Sequence, residues 1–172
     1  MPAATAQQTI GPYWHLIEDP TWFDLTRFGA IGDVIELTGT ITDGEAAPVA
    51  DAAVEIWQTS PVTDHFTGFG RTRSDARGRF HFKTLKPGPV PGVGNALQAP
   101  HVAIVLHARG LLRPLATRLY FVNEPLNETD PVLSLIEDPF ARQTLIAREA
   151  GPATWNLDIR LQGENETVFM DV

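Results

Sequence analysis

The chain has 172 residues, a formal net charge of −8 and no cysteine. That length suits one domain with a full hydrophobic core, while the missing thiols exclude disulfides and thiolate metal centres. The acidic balance argues against nucleic acid as a partner. No stretch approaches the roughly 18 apolar residues of a membrane span, and the first eight residues lack the charged and apolar regions of an export signal, so a cytoplasmic protein without membrane contact is expected.

Taken in order, Thr9-Ile10-Gly11-Pro12-Tyr13-Trp14-His15 is a Gly-Pro turn flanked by aromatics, an arm with something to pack. Trp22 and Phe23 follow in a Pro-containing loop. The first clear strand is predicted over residues 34–41, with Asp43-Gly44 as its turn signal. Val54-Glu55-Ile56-Trp57-Gln58 alternates with period two and reads as the second. Residues 71–75 and 79–84 suggest a hairpin around Asp75-Ala76-Arg77-Gly78. Pro87, Pro89 and Pro91 then force an extended path. After Pro100 comes a strand whose odd-numbered residues, His101, Ala103, Val105, His107 and Arg109, share one face, and residues 115–121 form another. Asp130-Pro131 and Asp138-Pro139 each place an N-cap before a proline, so a short helix is predicted over residues 138–148. Residues 155–162 alternate as a strand, and residues 167–169 suggest an edge strand. Short strands with turns between them, and little helix, indicate an all-β sandwich (residues 34–172) behind an N-terminal arm and loop (residues 1–33) whose aromatics would pin onto the domain or cover a neighbouring surface.

Chemistry-bearing residues are few. His101 and His107 share a strand face, but six residues of strand put them roughly 20 Å apart, too far for one metal. A His-x-His pair would set two imidazoles about 6–7 Å apart, and the second place here is Ala103. His101 therefore reads either as a hydrogen-bonded interior histidine or as a ligand. His65 with Asp64 and His101 would make at most a weak mixed site. The chain has no Gly-x-Ser-x-Gly elbow, and Gly92-Val93-Gly94 does not open a helix, so neither a serine nucleophile nor a phosphate loop is expected. Arg109 is the most informative charge, since at a strand end beside a pocket it could attract an anionic substrate. Arg118 reads as one half of an interior salt bridge.

Several stretches together carry a resemblance across nearly the whole chain. They include Gln8-Thr9-Ile10-Gly11-Pro12-Tyr13, Val54-Glu55-Ile56-Trp57-Gln58, Phe69-Gly70-Arg71-Thr72, Leu85-Lys86-Pro87-Gly88, Ala108-Arg109-Gly110 and Thr117-Arg118-Leu119-Tyr120-Phe121. With Asp158-Ile159-Arg160-Leu161-Gln162-Gly163-Glu164 added, the chain resembles the intradiol ring-cleavage dioxygenase family, specifically the α subunits of its two-chain members. The resemblance implies a transthyretin-like β-sandwich and a homologous β subunit that carries a non-haem Fe(III), joined in αβ units and higher oligomers. It also implies conversion of protocatechuate and O2 to 3-carboxy-cis,cis-muconate. The family's iron is held by two tyrosinates and two histidines, and the matching positions here are His65, Val90, His101 and Ala103. The expectation is thus a chain that binds no iron and supplies no catalytic residue. Its Thr9, Gly11, Pro12, Tyr13 and Arg109 would line the pocket of the partner's iron. The alternative is a non-catalytic β-sandwich serving as scaffold or binding module.

Overall fold

The computed structural model describes residues 10–171 apart from Pro12, Val93 and Asn95. Its strands form where apolar and polar residues alternate. Strand β1 (Val34–Thr42) buries every second residue, among them Ile35, Leu37 and Ile41, and β2 (Ala53–Trp57) buries Val54 and Ile56 while turning Glu55 and Trp57 to the other face. Strands β3 (Phe69–Arg73) and β4 (Arg79–Leu85) follow, then the two-residue strands β5 (Val90–Pro91) and β6 (Leu97–Gln98), which pair with each other. Strand β7 (His101–His107) buries Val102, Ile104 and Leu106 and leaves its odd-numbered residues half-buried on the opposite face. Strand β8 (Leu115–Phe121), helix α1 (Pro139–Gln143) and strands β9 (Ile146–Gly151), β10 (Thr154–Asn156) and β11 (Ile159–Arg160) complete the order.

One layer is built on β1, with β4 antiparallel beside it and β10 and β11 both parallel to it. The other runs β3-β2-β7-β8-β9. Strand β9 also pairs with β10, so the two layers are continuous through it and the sheet nearly closes on itself. Leu37, Ile41, Phe80 and Phe82 from one layer meet Val54, Ile56, Val102, Ile104, Leu119 and Phe121 from the other in the main core. Leu25 joins them, because residues 23–25 are hydrogen-bonded to Lys83 of β4. Gly39 marks the tightest crossing, where an added Cβ would lie 2.0 Å from the Leu157 carbonyl oxygen and 2.5 Å from the Phe80 ring.

A second, smaller core gathers Ala99, Tyr120, Leu133 and Leu145 on the outer side of β8. Asp130 is its polar centre. Fully buried, its carboxyl accepts from Ala99 N (2.8 Å), Val132 N (2.8 Å), Leu133 N (2.9 Å) and the Tyr120 hydroxyl (3.2 Å). It therefore ties down the first N–H of the 3-10 turn Leu133–Leu135 and also fixes the backbone just before His101.

Five local expectations give way to tertiary contacts. Residues 75–78 do make the tight turn their Asp and Gly favour, but β3 pairs with β2 and β4 with β1, so the turn is a corner between layers rather than a hairpin. Asp138 caps a helix as expected, through Phe140 N at 2.9 Å, but the helix stops at Gln143. Ile146 and Ala147 instead lie parallel beside Tyr120 and Phe121. The 155–162 stretch is split into β10 and β11, and residues 167–169 form no strand; there is an isolated bridge from Met170 to Ala116. Arg118 forms no salt bridge among the described residues. It donates to Gln98 Oε1 (2.7 Å) and to the Tyr120 hydroxyl (3.3 Å). Among the described residues no helix is long and apolar enough to cross a membrane.

Candidate functional site

Strand β7 carries a recess at each end of its outer face. At the N-terminal end, a cavity of about 150 Å³ is lined by Trp57, Gln58, Thr59, Ser60, Val90, His101 and Ala103. The Pro-rich segment and the central strand thus do present side chains to one space. Proline at 89 and 91 extends the chain and β5 pairs with β6, which brings Val90 to the cavity wall. The floor is held by Gln58, whose Nε2 donates to Ser60 O (2.7 Å) and Leu85 O (2.9 Å) while its Oε1 accepts from Thr84 Oγ1 (2.8 Å). His101 Nδ1 donates to Ala99 O at 2.7 Å, which fixes the tautomer and leaves Nε2 with its lone pair. Burial pushes this imidazole below its ordinary pKa, against the opposing pull of that hydrogen bond.

Three of the four positions matched to a ligand set, Val90, His101 and Ala103, therefore meet around one cavity. His65 is exposed in the loop after β2, with φ at +64°, and does not line the cavity. The donor set does not fit a ferric ion: one imidazole nitrogen stands among an isopropyl, a methyl, an amide, two hydroxyls and an indole.

At the C-terminal end of β7 lies a larger cleft of about 570 Å³, lined by Ile10, Gly11 and Trp14 from the arm, by Asp51 and Arg73, and by residues 107–111. Gly11 and Arg109 thus face the same space. Gly11 takes φ of +79°, a conformation a glycine adopts without strain, and Gly110 turns the chain after Arg109 at +86°. Tyr13 is 72% exposed and stands outside the cleft lining, while Thr9 and Pro12 lie outside the described residues. Arg109 is exposed, just past the end of its strand, and makes no ion pair among the described residues.

The wall beneath the cleft is ordered by cross-strand pairs. Arg73, Ala53 and His107 lie side by side on β3, β2 and β7, with Arg71, Glu55 and Val105 as the next row on that face. Glu55 binds Arg71, whose Nε donates at 2.8 Å, and His107 Nε2 lies 3.9 Å from its other oxygen. His107 and Arg71 hold the Glu55 carboxyl below the usual carboxylate range although burial works the other way. Sequence reasoning passed over Arg73. Its signal was available, because the two-residue step from Arg71 to Arg73 puts both guanidiniums on one strand face.

A family model described as "Dioxygenase" matches residues 18–163. The protocatechuate 3,4-dioxygenase alpha chain of Pseudomonas putida is 39% identical, with 97% of this chain and 96% of the relative covered. The protocatechuate 3,4-dioxygenase beta chain of Burkholderia cepacia is 32% identical, over 93% of this chain and 76% of that one. Among solved structures, the dioxygenase domain of a dioxygenase–carbohydrate-binding protein fusion from Streptomyces sp. SirexAA-E superposes with a TM-score of 0.64 at 26% identity, covering 94% of this chain and 99% of the other. Catechol 1,2-dioxygenase from Pseudomonas arvilla C-1, at 20% identity and TM-score 0.62 over 81% of this chain and 55% of that one, shares the β-sandwich fold. On a match that spans most of the chain and on these relatives, the chain belongs to the intradiol dioxygenase family, beside its protocatechuate 3,4-dioxygenase alpha chains.

Proposed function

We propose that this chain is the iron-free α subunit of a protocatechuate 3,4-dioxygenase. It works with a homologous β chain that holds the Fe(III), and it lines that partner's pocket with its arm and with Arg109. The reaction inserts O2 between the two hydroxyl-bearing ring carbons and yields 3-carboxy-cis,cis-muconate. The observation that carries the iron-free part is the cavity beside His101, where Val90 and Ala103 offer no donor and His101 stands alone. Support for the pocket part comes from the shared cleft of Gly11 and Arg109. In that cleft an exposed guanidinium attracts the carboxylate of the incoming acid, and a glycine backbone lets a ring approach closely. The chain's own contribution is thus to bind, orient and exclude water.

The test is to purify this chain alone and together with its β chain, then measure iron content and O2 uptake with protocatechuate. Stoichiometric iron and ring opening are expected only in the two-chain complex. Iron-loaded, active protein made of this chain by itself would overturn the proposal.

A further inference from the structure

The 570 Å³ cleft holds a second guanidinium besides Arg109. Arg73 reaches it from the end of β3, with its side chain 46% exposed. Its neighbours of opposite charge are Glu18 and Asp51, each 3.9 Å away. That spacing counts as an ion pair but lies beyond hydrogen-bond reach, so only the weak Coulomb attraction of a surface pair holds the Arg73 side chain there. Neither Arg73 nor Arg109 donates a side-chain hydrogen bond among the described residues, whereas Arg71, one row away, is fully engaged with Glu55. His107, the remaining titratable group on this wall, sits beside Glu55. The cleft is larger than a single benzoate ring requires, and Ile10, Trp14 and Leu111 give it apolar sides.

Two guanidiniums with open donors in one cleft suit a ligand with several carboxylates. Ring opening creates such a ligand. Each hydroxyl-bearing carbon of the substrate becomes a carboxylate, so an acid with one carboxylate leaves as an acid with three, both oxygen atoms of O2 having been taken up. From this juxtaposition we infer that Arg73 and Arg109 together form a polycarboxylate subsite that binds the ring-opened tricarboxylate in preference to the monocarboxylate substrate. Arg109 serves both ligands. Arg73 discriminates between them, exchanging its loose attraction to Glu18 and Asp51 for charge-assisted hydrogen bonds to the additional carboxylates.

This inference rests on the α-subunit reading, and its test keeps the two apart. In the two-chain complex, propane-1,2,3-tricarboxylate serves as an inert probe, both as an inhibitor of protocatechuate turnover and as a ligand titrated calorimetrically. Benzoate is the monocarboxylate control. Arg73→Gln should weaken tricarboxylate binding about tenfold, by inhibition and by heat alike, and raise the KM for protocatechuate by a clearly smaller factor. Arg73→Lys should restore part of the loss, and Arg109→Gln should weaken both ligands comparably. Equal effects of Arg73→Gln on probe and substrate, or none on the probe, would overturn the subsite. Loss of all ring opening in the parent complex would instead refute the α-subunit reading, while the calorimetric arm would still decide the fate of the subsite.

Discussion

The two recesses at the ends of β7 share a sheet, a strand and a face, yet they are built on opposite terms. The cavity beside His101 is closely defined. Gln58 ties its floor, a buried Asp130 fixes the backbone at its edge, and the His101 tautomer is set by Ala99. What it lacks is a set of donors. The cleft beside Arg109 is open and only loosely tied, but it collects guanidiniums that donate no side-chain hydrogen bond among the described residues. The contrast teaches that scaffold and chemistry are separable here: hydrogen bonds between backbone and buried side chains can hold a well-defined shape that carries few donor groups.

The largest effect is expected where the cavity's support is cut. Asp130→Ala leaves three backbone N–H groups and the Tyr120 hydroxyl without their acceptor, and should cost about 3 kcal/mol or more in urea unfolding. A loss below ~1 kcal/mol would mean that the small core does not depend on this carboxyl. Next comes Glu55→Gln, which touches the wall beneath the cleft and should cost about 1–2 kcal/mol at neutral pH by weakening the Arg71 contact. Because the folded Glu55 titrates below its ordinary 4.5, its stabilisation is complete above that value and is lost as pH falls through the lower folded one. Melting temperatures between pH 3 and 6 should therefore fall more steeply for the parent than for the variant; parallel curves would sink the assignment.

Arg109→Ala tests the cleft itself. In the complex it should raise KM about fivefold for protocatechuate and much less for uncarboxylated catechol, an effect of about 1 kcal/mol. Equal behaviour of the two substrates would favour a scaffold that touches no ligand. The smallest effect is expected from Ala103→Val, which places two methyl groups at the edge of the cavity that the proposed function leaves without a role. Stability should stay within about 0.5 kcal/mol, with ring opening in the complex unaltered. A tenfold drop in turnover would show that the cavity takes part after all.

Much of the sandwich could be read from the residues because burial alternates so regularly in β1, β2 and β7. The parallel partners of β1 could not, since Glu36 and Thr154 pair across more than a hundred residues and no turn signal announces such a contact. The corner at Asp75–Gly78 misled for a related reason: turn chemistry specifies that the chain reverses, not which strand it then joins. At the site, Arg109 was legible from its position at a strand end, and Val90 and Ala103 through the resemblance. Arg73 was not singled out, because its importance comes from the arm residues Gly11 and Trp14, which fold over it from sixty residues away.

Gly39 carries a consequence for how this sequence can vary. With a carbonyl oxygen and a phenyl ring pressed against its α-carbon, any side chain would have to displace the connection at Leu157 that hands the chain from β10 to β11. In a library randomised at codon 39 and sorted for assembled complex, the surviving clones should all carry the parental residue, although the position lines neither recess.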